Sequence, residues 1–405
     1  MSSSFSAKHA YLILGIAAAT SAAFSARMVT AQTVAPRVPA YQVDPSWPRP
    51  LPNAWGIGPV SGISADSRDH IWMVHRQETV KQAGGTPAPP VIEFDTQGNV
   101  VQTWGGPGAG YEWPQQLHGI SVDAQDRIWI TGNGADDAQI LAFTREGKFI
   151  RQIGHSGKMA GSNDTANLGH ATQARFDAAT GSVFVSDGES GQNHRVIVFD
   201  AATGAYQRHW GAYGKRPNDA EVVARFDAAA PAPTQFGTVH CLHIARDGRV
   251  YVCDRGNNRF QVFQKDGTFL KEHFIAKEET KGAGSVWDIE FSLDNAQRFL
   301  FVADGTNEKI WILDRESLIV AGSFGASGKA PGQFATPVHD LDQPVLRILK
   351  SALCLQVDGN PFHRPDRPNV LIAQDCPALL QHFPEVRLGL CVSVLKIQHF
   401  AQASL

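Results

Sequence analysis

The 405-residue chain has almost no excess of either charge, with 36 lysines and arginines against 39 aspartates and glutamates and a formal net charge of −3. No basic cluster breaks that balance, so no nucleic-acid partner is expected. Long apolar runs are also missing. Beyond residues 11–24 no stretch is apolar enough to cross a bilayer, so no stable membrane insertion is expected once that segment has been removed. The glycine-rich links, among them "WGGPGAGYEWPQQ" and "FGASGKAPGQF", lack the Lys-Ser or Lys-Thr pair of a P-loop and open no predicted helix. They read as connections between units, not phosphate cradles. Cysteine is scarce too: five residues leave at least one thiol unpaired unless an intermolecular bond forms.

What the chain does have is apolar and turn-forming material in quantity. A hydrophobic content of 43%, with nine tryptophans and 22 phenylalanines, supports a large core, and 38 glycines with 23 prolines supply turns. A cassette recurs along the chain: an alternating apolar run, an Asp or Gly turn, and a β-branched or aromatic run such as "RIWIT", "SVFVSD" or "RVYVCD". A second strand pair around a polar turn follows, as in "RFQVFQKDGTFLKEHF". Four strands per unit make a propeller blade. Unit starts near Val60, Leu117, Ala171, Val239, Val286 and Val338, spaced by roughly 45 to 70 residues, predict an all-β, six-bladed propeller over residues 60–342. A single blade cannot bury both of its faces, so one closed ring is expected in place of several domains.

The flanks read differently. Lys8 and His9 precede the apolar stretch, and "VTA" before Gln32 fits a small-residue cleavage site, so residues 1–31 are expected to be a secretory signal and the protein periplasmic or secreted; an uncleaved anchor is the alternative. A Pro-rich lead occupies 32–59. Cys241 and Cys253 face each other on adjacent strands if the hairpin closes on Arg246, Asp247 and Gly248, and slip apart if the turn is a two-residue Asp-Gly. A disulfide and a pair of buried thiols are both open readings. The sixth unit begins correctly at "FATPVHDLD" and then loses the cassette, so the sixth blade is expected to be incomplete or aberrant. A frameshift would give such an abrupt change over 343–405, as would a genuine C-terminal extension, and either leaves strand edges uncovered.

Three units carry histidine at the same place, His118 in "LHGIS", His240 in "VHCL" and His339 in "VHDL". Equivalent positions in a ring of repeats converge on its axis, and three neutral imidazoles with a fourth position open suit Zn²⁺. His155, His170, His194 and His243 match no repeat position and read as surface or packing residues.

With these motifs in place, the blades resemble NHL-type repeats. The residue set from about Val60 to Asp340 is similar to the peptidyl-α-hydroxyglycine α-amidating lyase (peptidylamidoglycolate lyase) domain of peptide-amidating enzymes, itself a six-bladed propeller. The resemblance implies that His118, His240 and His339 hold the metal. It implies that Arg76 in "VHRQ" and Arg255 in "CDRGNNR" are the two site arginines, and that Asp340 lies near a structural Ca²⁺ at the ring centre. Where the family has a tyrosine for proton transfer, "SDGY", this chain reads "SDGE". Glu189 stands there, followed by the insertion "SGQNH", and could serve as the base only from a buried position. The expected activity is metal-dependent carbon–nitrogen cleavage of an α-hydroxyglycine-type substrate, a small molecule or peptide bearing a carboxylate that two arginines clamp, with release of glyoxylate. The competing expectation is a non-catalytic NHL-repeat propeller that binds a peptide, glycan or protein.

Overall fold

The computed structural model describes residues 38–39, 47–221, 226–279, 281–330, 332–334 and 337–342. The expected signal over 1–31 and the tail over 343–405, with Cys354, Cys376 and Cys391, lie outside the described residues. The rest is built from five antiparallel four-stranded sheets. The first holds β1 (Val60–Ala65), β2 (Ile71–His75), β3 (Val91–Phe94) and β4 (Val100–Trp104), with a short helix α1 (Gln77–Gln82) after β2. The second holds β5 (Leu117–Val122), β6 (Ile128–Gly132), β7 (Gln139–Phe143) and β8 (Phe149–Gly154). The third holds β9 (Ala171–Asp177), β10 (Ser182–Asp187), β11 (Arg195–Asp200) and β12 (Tyr206–Trp210). The fourth holds β13 (Val239–Ile244), β14 (Val250–Asp254), β15 (Arg259–Phe263) and β16 (Phe269–Phe274), and the fifth holds β17 (Asp288–Phe291), β18 (Phe299–Asp304), β19 (Lys309–Asp314) and β20 (Val320–Phe324). Each sheet is ordered as it is written, so every blade is a meander from inner to outer strand.

The local chemistry of the cassette explains the first hairpin of blades 1 and 2. In blade 1 the Asp66 carboxylate accepts the N–H groups of Arg68 and His70 and the indole N–H of Trp72; in blade 2 Asp123 does the same for Gln125, Arg127 and Trp129. One aspartate thus sets the turn and anchors the aromatic residue two positions into the next strand. The second and third strands of blades 1 to 4 are buried nearly throughout, whereas the outermost strand of every blade is mostly half-buried or exposed, as expected of a sheet edge that faces solvent. Side chains interdigitate between neighbouring blades. Trp129, Ile140 and Ala142 of blade 2 pack on Val183, Val185, Ile197 and Phe199 of blade 3.

The expected count of six blades is corrected to five, and with it the six-bladed architecture that the resemblance implied. Among the described residues there is no sixth sheet, complete or partial. The predicted sixth start, Val338, lies in an extended segment, 337–342, that makes no strand ladder. This segment runs between β17 and β1 and is held by side chains. Asp340 Oδ2 accepts the N–H of Ile63 at 2.8 Å, Asp342 Oδ2 that of Ala65 at 3.0 Å, and Asp288 Oδ2 that of Leu341 at 2.7 Å. The physical reason lies in the sequence after Asp342, which lacks the Asp-x-x-Gly turn and the following apolar strand that build a first hairpin elsewhere. Local apolar groups cover the two faces that flank this seam. Trp47, Leu51, Trp55 and Ile57 of the lead pack on blade 1, and Phe334, Val338 and Leu341 pack on blade 5.

The β13–β14 hairpin closes over Arg246, Asp247 and Gly248: Ala245 and Arg249 are joined by a backbone hydrogen bond, and Gly248 sits at φ 83°. This register places Cys241 opposite Cys253, and the two form a disulfide with Cα atoms 4.8 Å apart. Replacing both by alanine is expected to lower the unfolding free energy by about 3 kcal/mol, the scale for a cross-link closing a short loop. Chemical denaturation of the double variant beside wild type, with and without reductant, measures it; coincident midpoints would show that the cross-link contributes nothing.

Candidate metal centre

His118 and His240 are the second residues of β5 and β13, at the end of each strand where the inner strand enters the blade. His339 comes from the seam segment. The structure brings the three rings together, with centroids 5.0, 4.9 and 4.8 Å apart in pairs and one nitrogen of each within 4.8 Å of the others. The group has the composition and spacing to hold a metal ion.

The protonation of the rings follows from their partners. His118 Nδ1 lies 3.1 Å from the Thr172 carbonyl and His240 Nδ1 lies 2.5 Å from the Trp287 carbonyl. A carbonyl only accepts, so both Nδ1 atoms carry the proton and both Nε2 atoms present a lone pair. Burial, followed by the positive charges of Arg76 and Arg255, pushes the His118 pKa down to about 3. Burial first, then Arg255 and the neighbouring rings, holds His240 well below its ordinary value, and burial, His118 and Arg255 do the same for His339. Neutral imidazole is the form that binds a metal. His240 Nε2 and His339 Nδ1 have no hydrogen-bond partner among the described residues, as expected of atoms that await one.

The residues expected from the sequence to surround this cluster do so in part. Glu189, in a one-turn 3-10 segment after β10, is buried at 6% exposure; its Oε2 lies 3.9 Å from His240 Nε2 and lacks a hydrogen-bond partner, while Oε1 pairs with Arg255 at 2.7 Å. Arg255 follows β14, stacks its guanidinium 4.5 Å from the Trp287 ring centroid, and leaves Nε unpaired. Arg76 follows β2 and reaches Asn133 Oδ1 at the outer limit of a hydrogen bond, 3.5 Å, with Nε also unpaired. Burial lowers the Arg76 pKa from its ordinary value, and the charges of Glu78 and Glu189 oppose that shift.

Asp340, the residue after His339, lies in the seam. Its Oδ2 takes the Ile63 N–H, its Oδ1 those of Leu341 and Gln173, and it is hydrogen-bonded to Asp288. Burial and the Asp288 charge raise its pKa well above the carboxylate range. Both oxygens are engaged by N–H donors, so in this structure the Asp340 carboxylate fastens the seam. His243, read as a packing residue, is buried against Asp288 at 3.0 Å and Arg175 at 3.1 Å.

Residues 236–263 match the NHL repeat. That span covers β13 to β15 and carries both His240 and Arg255. Over 295 residues the chain is 22% identical to NHL repeat-containing protein 3 of Mus musculus, covering 72% of each chain. For the Homo sapiens protein of that name the figures are 22%, 56% of this chain and 57% of the relative. It is 25% identical over 265 residues to peptidyl-glycine alpha-amidating monooxygenase of Mus musculus, covering 61% of this chain but only 24% of that much longer protein. Among solved structures, a streptogramin B lyase aligns with a TM-score of 0.43 at 13% identity, over 66% of this chain and 68% of that one.

The side-chain contacts show which arginine of "DRGNNR" is structural. Arg259, fully buried, pairs with Asp254 at 2.8 Å and donates to the Gln235 carbonyl, so Arg255 is left to face the histidines. Blade 3 repeats the device despite its insertion, with Arg195 paired to Asp187 at 2.8 Å and Asn193 donating to the same carboxylate. The sequence reading missed Trp287. The signal was present: the residue after each unit start is Ser61, His118, Thr172, His240, Trp287 and His339 in turn, so Trp287 occupies the place that histidine takes in the preceding blade.

Among the described residues no helix is long and apolar enough to cross a membrane.

Proposed function

We propose that the protein is an exported, zinc-dependent carbon–nitrogen lyase acting on an α-hydroxyglycine-type substrate, with an amide and glyoxylate as products. The observation that carries this reading is a set of five buried polar atoms without hydrogen-bond partners among the described residues, all on side chains of one site: His240 Nε2, His339 Nδ1, Glu189 Oε2, Arg76 Nε and Arg255 Nε. Buried polar groups left unsatisfied cost stability unless a ligand completes them. Lone pairs on one side and guanidinium donors on the other call for a cation and a carboxylate together. The similarity to peptidyl-glycine alpha-amidating monooxygenase supports the same substrate class, and the Cys241–Cys253 disulfide supports an oxidising compartment, periplasmic or extracellular.

The residues then divide the work. His118, His240 and His339 hold Zn²⁺, which when bound supplies Lewis-acid polarisation of the substrate hydroxyl. Arg255, with Arg76, receives the substrate carboxylate on its unpaired edge. Glu189 Oε2 accepts the hydroxyl proton as the C–O bond becomes a carbonyl, the C–N bond breaks, and the departing amide nitrogen takes up a proton. Arg255 holds Glu189 in place through Oε1, so one arginine orients both the base and the substrate. The low-dielectric surroundings strengthen each of these contacts.

Incubating the purified, zinc-loaded protein with an α-hydroxyglycine peptide is expected to release glyoxylate. Glu189→Gln, which preserves shape and the Arg255 contact but removes the base, should lower kcat by about 10² to 10⁴. Arg255→Ala should lower kcat/KM by a similar factor, because it loses the carboxylate contact and frees Glu189 together. Wild-type protein that binds zinc and yields no glyoxylate above the uncatalysed rate would remove the lyase reading.

A further inference from the structure

Blade 5 contributes no histidine, yet its Trp287 touches three side chains of the site, His240, His339 and Arg255. The structure assigns Trp287 the role of a positioning residue that holds the zinc-binding and carboxylate-binding halves of the centre in register. This inference rests on the lyase reading for its carboxylate arm and on the geometry alone for its metal arm.

Three contacts support it. The Trp287 carbonyl accepts the Nδ1–H of His240 and fixes which nitrogen that ring presents. The indole lies edge to face against His240, with centroids 5.5 Å apart, and against His339 at 5.6 Å, so it walls two of the three imidazoles. The face of the same indole carries the Arg255 guanidinium at 4.5 Å, which keeps that charge in place while its Nε is free to receive a ligand. The ring itself is seated firmly. Its Nε1–H donates to the Gly284 carbonyl at 2.7 Å, which also accepts the Thr306 hydroxyl, and a Cβ at Gly305 would meet the indole at 2.5 Å. Glycine at 305 is therefore the condition for an indole at 287. A residue with only a packing role would need neither the stacked guanidinium nor contact with two ligand rings.

The test uses the full-length protein with Trp287→Leu, which fills the wall but offers no π face, and Trp287→Phe, which keeps one. Zn²⁺ affinity is read by competition with a chromophoric chelator, the ligand geometry by the visible spectrum of the Co²⁺-substituted protein, and the carboxylate arm by glyoxylate binding. Trp287→Leu is expected to weaken Zn²⁺ binding about ten-fold, to alter the Co²⁺ bands, and to raise the glyoxylate Kd about five-fold. Trp287→Phe should stay within about two-fold of wild type on both affinities, since a π face remains. Trp287→Leu that matches wild type in zinc affinity and Co²⁺ spectrum overturns the assignment, as does Trp287→Phe that fails as badly as leucine while melting like wild type. Should Trp287→Leu not fold, the Phe variant decides: an unaltered spectrum and affinities support the assignment, and their loss rejects it. If wild-type protein binds no glyoxylate, the lyase reading falls and the metal arm still decides the role of Trp287.

Discussion

Protein carrying His240→Ala is expected to purify with almost no zinc, where wild type is expected to hold one ion per chain. Structural zinc sites gain about 10 to 16 kcal/mol from their full ligand set, so the loss of one of three imidazoles should cost about 3 to 4 kcal/mol, an affinity decrease on the order of 10² to 10³. Elemental analysis and chelator competition read the loss directly, and glyoxylate release should fall with it. His240 lies in a strand whose neighbours, Val239 and Cys241, are held by ladder bonds and a disulfide, so the strand stays in place while the site loses an imidazole, its bond to the Trp287 carbonyl and its ring contacts with Trp287, His118 and His339. Retention of zinc at wild-type affinity would dissolve the centre as drawn.

The second large effect belongs to the fold. Arg259→Ala is expected to destabilise the protein by about 3 to 5 kcal/mol, because it leaves the fully buried Asp254 without its ion-pair partner. Arg259 also donates to Tyr213 and Glu272 and to the Gln235 carbonyl, so a single side chain ties β15 to the long connection entering blade 4. Thermal and urea unfolding should show the drop, with the double variant Asp254→Asn, Arg259→Met recovering part of it by removing both charges at once. An unchanged midpoint for Arg259→Ala would mean that the buried pair contributes little here.

Much of this molecule was legible in the sequence, and the limits of that legibility have physical causes. The starts at Val60, Leu117, Ala171 and Val239 coincide with the first residues of β1, β5, β9 and β13, because strand alternation and the aspartate turn are encoded locally. The number of blades is not local. It depends on what fills the gap between β17 and β1, and the residues that fill it do so through aspartate side chains on backbone N–H groups, which leave no period to read. The three histidines were legible because repetition marks equivalent positions. The place of Glu189 was only partly so: Glu189, Ser190 and Gly191 form one short 3-10 segment, the rest of the insertion still delivers Asn193 and Arg195 to Asp187, and the glutamate lies beside His240. Trp287 is not legible in this way because it shares the histidines' repeat position but not their residue type.

The seam carries one further meaning. Two of the three clustered histidines belong to blades anchored by complete ladders, but His339 rides on a short segment fixed by a few carboxylate bonds, at the place where the first and last sheets come together. An ion bound by all three would act as a clasp, tying the loose end of the ring to its far side. Metal occupancy and closure of the ring become a single equilibrium: whatever favours one favours the other, by an amount set by the free ion and its dissociation constant. In such a molecule the metal serves the architecture before it serves the chemistry, and a chain that has not closed cannot begin to react.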